Sequence, residues 1–480
     1  MRRNRSIEVV LVLALGLLCH CASEPARPRP NVIIITIDTL RADRLPFFGA
    51  PLNTAPFFAD LAERSVVYEN AWAPSSWTLP SAVSVITSLH PFQHGVTHLD
   101  GLELGPDEEP VPVNCIPDSA ETMAETLKAA GYRTYGIASN ILVGSEVAFD
   151  RGFDRFVKLP DKEADAVNAV AESWREEMLE GEPFFFYLHY FDPHDTFHAR
   201  EPWFENSLSS DESGWSTDYA AGAVNDDQLD WLMTRIDRLP KELAGREARD
   251  LTASEIGQLL AWSKAAYDSE IGYVDSRIQE IYENFGMENA IVVLLADHGE
   301  EFYEHSHLTH GQNLYHETMR VPLLLQLPEE LGQPGRIAAN VSTLDLFPTL
   351  RRLLGLPPST QDQGQDLMAL RQGEEHDPVY GSVKGDVDAY AIGADLRSII
   401  VGDYRLITAS DGSAELYNLV SDPLEKSDLA RQHPVVVTEL LETLNALERA
   451  APTFEHSTRL PPPPDEAMLE HLKGLGYVGK

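Results

Sequence analysis

The sequence predicts a doubly wound α/β fold: a mostly parallel sheet sandwiched by helices, with a small antiparallel-sheet subdomain at the C-terminus. Three observations support that reading. NVIIITIDTL, PFFFYLHYFDPH and AIVVLLADHGE are continuous apolar runs rich in β-branched or aromatic residues, as suits parallel strands buried on both faces. Each ends in a polar cluster, where open α/β sheets place their ligands. Segments of helical spacing lie between them, the alternation expected of a doubly wound sheet.

In chain order, MRRNRS is a basic n-region and VVLVLALGLL an apolar h-region, so residues 1–21 are expected to be a signal segment. Cys19 and Cys21 stand where a bacterial lipoprotein signal places its lipidated cysteine. Neither follows the usual small residue, so a plain secretory signal or an uncleaved anchor competes. All three routes lead out of the cytoplasm, to the periplasm or the membrane-anchored envelope. A Pro-rich linker at 22–30 precedes a catalytic α/β domain at 31–370. Within it, 56–64, 80–88, 118–130 and 254–284 read as helices and YRTYGIAS as a strand. Residues 200–255 are acidic and contain Trp, either a surface excursion or a cover over the substrate. Beyond 370, DPVYGSV, SIIVGDYRLITAS and AELYNL read as short antiparallel strands, followed by a helix at 433–449. These make an α+β subdomain at 371–455, and 456–480 forms a Pro-rich tail with a short helix.

With 37 Lys+Arg against 76 Asp+Glu, the formal charge is −39, which counts against a nucleic-acid partner. Three cysteines, two of them in the leader, exclude a disulfide framework and a cysteine zinc site.

LLADHGEEFYEHSHLTHGQNLYHE is the segment densest in chemistry. Asp297 and His298 leave a buried run together at a glycine, a ready ligand pair for a divalent cation. His310 again precedes a glycine, whereas His305, His307 and His316 read as surface or supporting side chains. Asp38, at the end of the first strand, completes the cluster from a neighbouring strand. YFDPHDTFH adds Asp192, His194 and Asp195, with Pro193 restricting the backbone between the first two. That group suits a second metal, an anionic substrate, or a simple Asp-Pro turn. SSWTLPSAVSVITS puts Thr78 two residues before Pro80 at a helix start. Two roles fit Thr78. One is a helix cap, contributing about 1 kcal/mol. The other is a nucleophile at an anion-favouring helix N-terminus, activated by a metal on Asp38, Asp297 and His298. Zinc and manganese suit Asp/His ligation better than calcium.

On these segments the chain resembles a sulfatase-type member of the alkaline phosphatase superfamily. NVIIITIDTLRAD resembles the family's first strand and metal-binding Asp, and WTLPSAVSVITSLHPFQHGV the segment bearing the nucleophile. FYLHYFDPHDTF, ADHGEEF, HGQNLYHETMRVPLLL, VSTLDLFPTLRRLLGLP and AELYNLVSDPLEKSDLA resemble later blocks in the same order. The departures are equally informative. The sulfatase pattern Cys-x-Pro-x-Arg, whose cysteine is oxidised to formylglycine, is replaced by Thr78, Leu79, Pro80, Ser81 and Ala82. Asp38 and Thr39 stand for Asp-Asp. SNILVG, residues 139–144, replaces Gly-Lys-x-His, leaving Asn140 as the polar candidate for substrate contact.

A direct threonine nucleophile is a property of superfamily relatives that cleave or transfer phosphoryl groups. The resemblance therefore implies Thr78, His310 and His194 as catalytic residues, with His194 also contacting substrate. It implies one metal on Asp38, Thr78, Asp297 and His298, and, in two-metal relatives, a second on Asp192, His194 and His310. The expected function is an exported hydrolase or transferase, dependent on one or two divalent metal ions, that cleaves phosphate or sulfate esters, phosphate favoured. Its substrate would be a small-molecule, glycan or lipid ester, with membrane contact only through the N-terminus. Two alternatives stand beside it: a sulfuric ester hydrolase working without formylglycine, and a catalytically inactive sulfatase-like binding protein.

Overall fold

The computed structural model describes residues 29–97, 112–209, 226–236, 239, 243, 245–371, 376–385 and 393–460. The expected signal segment, Cys19, Cys21, most of the linker and the tail beyond 460 lie outside the described residues. The main sheet is built, in chain order, from β1 (Val32–Ile37), β2 (Ser65–Trp72), β3 (Arg133–Ala138), β4 (Arg155–Lys158), β5 (Phe184–Tyr190), β6 (Ile291–Ala296), β7 (Arg320–Val321), β8 (Leu323–Gln326) and β9 (Gly335–Ser342). Its spatial order is β7-β2-β8-β6-β1-β5-β3-β4, with β9 on β2. The segment β6-β1-β5-β3-β4 is parallel throughout, and β8 is antiparallel to both β6 and β2.

The three apolar runs of the sequence are the three central strands, and every residue of β1, β5 and β6 is buried. Their period of two divides the core. Ile33, Ile35 and Ile37 of β1 pack on one face, and Val32 and Ile34 on the other. The first face is covered by α1 (Pro56–Glu63), α3 (Ala164–Leu179) and α4 (Ala253–Asn284), and the second by α2 (Thr78–Thr87). Thr252 and Glu255 form a capping box that starts α4 where the sequence places a helix. The helix expected at 118–130 is shorter, Met123–Ala129, because Thr122 is its cap and its hydroxyl accepts the Glu125 N–H.

β10 (Val379–Val383), β11 (Leu396–Val401), β12 (Tyr404–Ala409) and β13 (Ala414–Asn418) form the C-terminal antiparallel sheet in that order, with α5 (Pro434–Ala450) packed on it. Register positions the site. Ile37 is level with Tyr190 on one side and Ala296 on the other, so Asp38 and Asp297 leave adjacent strands at the same height.

Candidate active site

Asp38 and Asp297 face one another at the carboxyl edge of the sheet, and both are fully buried. The Thr39 backbone, held at φ 56°, aims its N–H at Asp297 Oδ1 (3.3 Å), which also accepts from the His298 N–H (2.9 Å). That leaves Asp297 Oδ2 without a hydrogen-bond donor among the described residues, and Asp38 Oδ1 likewise. His298 Nε2 is 3.6 Å from Asp38 Oδ1 and 3.8 Å from Asp297 Oδ2. On the other side of His298 Nε2, at 3.1 Å, lies Thr78 Oγ1. His298 Nδ1 donates to the Gly299 carbonyl at 2.8 Å, which puts the ring's lone pair on Nε2, toward Thr78 and the two carboxylates. The hydroxyl, two acids and imidazole gathered here are therefore those singled out in the sequence.

Thr78 is not a helix cap. The capping position is Trp77, in extended conformation, and no side chain caps α2. Thr78 is the first helical residue, its hydroxyl pointing at His298 instead. Pro80 has no N–H and the Ser81 N–H reaches the Trp77 carbonyl, so Thr78 and Leu79 alone offer first-turn donors toward the site. The Ser81 hydroxyl anchors the helix to the Asp297 carbonyl.

Asn140 sits elsewhere than expected. Its Nδ2 donates to Asp38 Oδ2 at 2.7 Å and its Oδ1 accepts the Leu142 N–H at 2.8 Å. It therefore orients the Asp38 carboxylate with one of its two Nδ2 hydrogens. Asp192 is a second correction. Its Oδ2 accepts the Ala164 N–H at the start of α3 (2.8 Å), and its Oδ1 lies 3.7 Å from Arg200, which also pairs with Glu270. Burial pushes Asp192 up to about 6 and Glu270 well above the carboxylate range. Asp192 is thus part of a carboxylate pair under Arg200.

His194 and His310 do come to the site. Their rings meet edge-on at 4.9 Å, and His310 lies 4.3 Å from the His298 ring. His194 Nδ1 binds Asp195 Oδ1 at 2.6 Å, and Asp195 is paired in turn with Arg235. Although burial opposes it, Asp195 and Asp38 raise His194 well above the usual histidine range. His310, hydrogen-bonded to Glu300 through Nδ1 (3.1 Å), is held down at about 3 by burial and by the His194 charge. One imidazolium and one neutral imidazole therefore stand side by side.

The residue missed in the sequence is His189, the penultimate residue of β5, opposite Thr36 of β1. Its Nε2 is 3.6 Å from Asp297 Oδ2, and neither ring nitrogen has a well-formed hydrogen bond among the described residues. Asp38, His189 and Asp297 offer three ligand atoms within 4.8 Å of one another. Burial and the Asp297 charge push Asp38 up to about 6, whereas His298 and His189 hold Asp297 down at about 2 against its burial. Two buried carboxylate oxygens without donors, facing imidazole nitrogens, fit a divalent cation of the zinc or manganese type. The visible signal was a histidine interrupting an otherwise apolar, aromatic strand.

Beside the start of α2 opens a cavity of about 310 Å³, lined by Trp77, Pro80, Phe92, Tyr380, Lys384 and Arg397 among others. Its far wall belongs to the C-terminal sheet.

A hydroxyl at a helix start is thus set against a buried acid–imidazole cluster on a doubly wound sheet. A family model described as Sulfatase matches residues 30–356, and one described as N-sulphoglucosamine sulphohydrolase, C-terminal, matches 304–450. A sulfatase from Formosa agariphila is 25% identical over 448 residues, covering 83% of this chain and 82% of its own. The human N-sulphoglucosamine sulphohydrolase is 25% identical, covering 83% and 75%. Among solved structures, a protein in complex with its substrate D-glucosamine-2-N,6-O-disulfate superposes with a TM-score of 0.67 at 18% identity, covering 88% of this chain and 98% of its own. The phosphonate monoester hydrolase of Agrobacterium radiobacter gives 0.64 at 18%, covering 88% and 96%. The chain belongs to the sulfatase family.

Proposed function

We propose that this protein is an exported, metal-dependent ester hydrolase that uses Thr78 as its nucleophile and prefers phosphate to sulfate esters. The observation that carries the reading is Thr78 Oγ1 at 3.1 Å from His298 Nε2, within a cluster shared with Asp38 and Asp297. Threonine cannot become formylglycine, and Ala82, buried where α2 meets the core, supplies no guanidinium.

Asp38, Asp297 and His189 would hold the cation; when bound, it would supply positive charge that lowers the hydroxyl's pKa and opposes charge developing on the ester oxygens. The chain's own residues do the rest. The Thr78 hydroxyl gives its proton to the lone pair of His298 Nε2 and attacks the phosphorus, forming an O–P bond as the bond to the leaving oxygen breaks. His194, kept protonated by Asp195, gives its Nε2 proton to the departing alkoxide. First-turn N–H groups of α2 bind the phosphoryl oxygens. Water, giving a proton to the now neutral His194, then attacks phospho-Thr78, and the O–P bond breaks as His298 returns its proton to the Thr78 oxygen, releasing phosphate.

Sulfatase relatives keep a second reading open, sulfate ester hydrolysis at the same threonine. Rates on p-nitrophenyl phosphate, bis-p-nitrophenyl phosphate and p-nitrophenyl sulfate, with Thr78→Ala as control, decide between them. Phosphate turnover lost in Thr78→Ala supports the proposal; sulfate turnover alone supports the second reading; equal rates in the two proteins remove the nucleophile.

A further inference from the structure

A second cluster of metal-ligand type lies apart from the carboxylates of the active site, between the loop after β6 and the C-terminal subdomain. His305, His316 and Glu317 each present a ligand atom, all within 4.8 Å of one another. Glu317 offers one oxygen to each imidazole: Oε1 is 2.6 Å from His305 Nδ1, and Oε2 is 2.9 Å from His316 Nδ1. Glu317 is 2% exposed and His316 6%. The second contact is misaligned, so His316 Nδ1 and Glu317 Oε2 make no hydrogen bond. They form an ion pair instead, at a burial where a cation bound to both would replace the missing hydrogen bond.

The surroundings orient these donors as outer partners orient metal ligands. His305 Nε2 donates to the Glu425 carbonyl at 2.9 Å and Nδ1 donates to Glu317 Oε1 at 2.6 Å, so a cation would take the place of the Nδ1 proton. Its ring is pinned by stacking on Tyr315 at 3.8 Å. Glu425 is held at φ 51°, a left-handed conformation that a non-glycine residue keeps only when its surroundings fix it. Its Oε2 accepts the His316 N–H at 2.7 Å and its Oε1 is bound by Arg405 at 2.9 Å. Glu425 is therefore engaged on every side and serves the cluster from outside.

We propose that His305, His316 and Glu317 form a structural site for a zinc-class divalent cation, which braces the loop after β6 where Glu425 of the C-terminal subdomain supports it. Two imidazole nitrogens and the two Glu317 oxygens give four donors. Zinc–nitrogen and zinc–oxygen distances of about 2.0–2.2 Å require the donor atoms to part slightly from their present spacing. The partly exposed edge of His305 provides the entry path.

The test is zinc stoichiometry after dialysis against a weak chelator, in wild type, His316→Ala and His305→Ala, with circular dichroism as the folding check. Each variant is expected to hold one zinc fewer per chain than wild type, whatever the active-site cluster retains, and to lose the rise in Tm that zinc gives wild type at this site. An unchanged stoichiometry in a folded variant overturns the proposal. If His316→Ala does not fold, His305→Ala, at the rim, decides alone. The difference between proteins is the readout, so failure here is distinct from failure of the Thr78 reading, which Thr78→Ala turnover tests.

Discussion

Replacing Asn140 by leucine removes a donor without adding bulk at the cluster's edge. In the wild type Asn140 Nδ2 holds Asp38 Oδ2 at 2.7 Å, and Asn140 Oδ1 receives the Leu142 N–H at 2.8 Å. A hydrogen bond to a charged group is worth about 1.5–3 kcal/mol and a neutral one about 1 kcal/mol. The metal-free fold should therefore lose roughly 2–4 kcal/mol, less whatever Asp38 recovers by taking up a proton. The larger consequence concerns metal binding, because removing a partner that orients a ligand costs about 10–100-fold in metal affinity. Zinc or manganese titrations of Asn140→Leu, followed by turnover and by Tm, should show midpoints moved up by that factor. At saturating metal KM should match wild type. A KM that rises at saturating metal, with metal affinity unchanged, would refute the positioning role and restore a substrate contact.

Two further outcomes concern the scaffold. Burial holds His94 down at about 3, while its Nε2 meets Ser84 Oγ at 3.0 Å and its Nδ1 accepts the Val96 N–H. A histidine with a depressed folded pKa is neutral when folded and charged when unfolded, so stability falls as pH drops below about 6.5, by about 1.4 kcal/mol per pH unit. Urea unfolding of wild type against His94→Phe between pH 6.5 and 5 should show the variant's slope shallower by one proton; parallel slopes would contradict it. Gly299 is the other case. A Cβ there would stand 2.0 Å from the Glu317 carbonyl, where the turn after β6 hydrogen-bonds to Thr318. Gly299→Ala should lower stability by at least about 1–3 kcal/mol through the backbone shift, measured by denaturant midpoint; a neutral result would mean that the turn has slack.

The central sheet was legible because runs such as VIIITI and IVVLLA admit one environment, the middle of a parallel sheet. Their carboxyl ends then pointed to Asp38, Asp297 and His298 from the residues alone. Thr78 was legible as a hydroxyl at a helix start, but its two roles separated only when the cap proved to be Trp77. His189 escaped because strand periodicity cannot say that an imidazole next to the strand's carboxyl end lies level with Thr36 and beside the Asp297 carboxylate. Asp192 misled because sequence places it two residues from His194, while the intervening turn sends its side chain to α3 and Arg200. His305 and His316 were set aside as supporting residues, since only the fold brings Glu317 between them and Glu425 behind them.

The most direct measurement is acid quenching of the enzyme during turnover of p-nitrophenyl phosphate, followed by mass spectrometry of the peptide spanning Thr78. The expected result is a phosphoryl group on Thr78, with the Thr78→Ser variant carrying it as phosphoserine on the same peptide. Turnover with the label on another residue, or with no covalent species under conditions where dephosphorylation limits the rate, would contradict a threonine nucleophile.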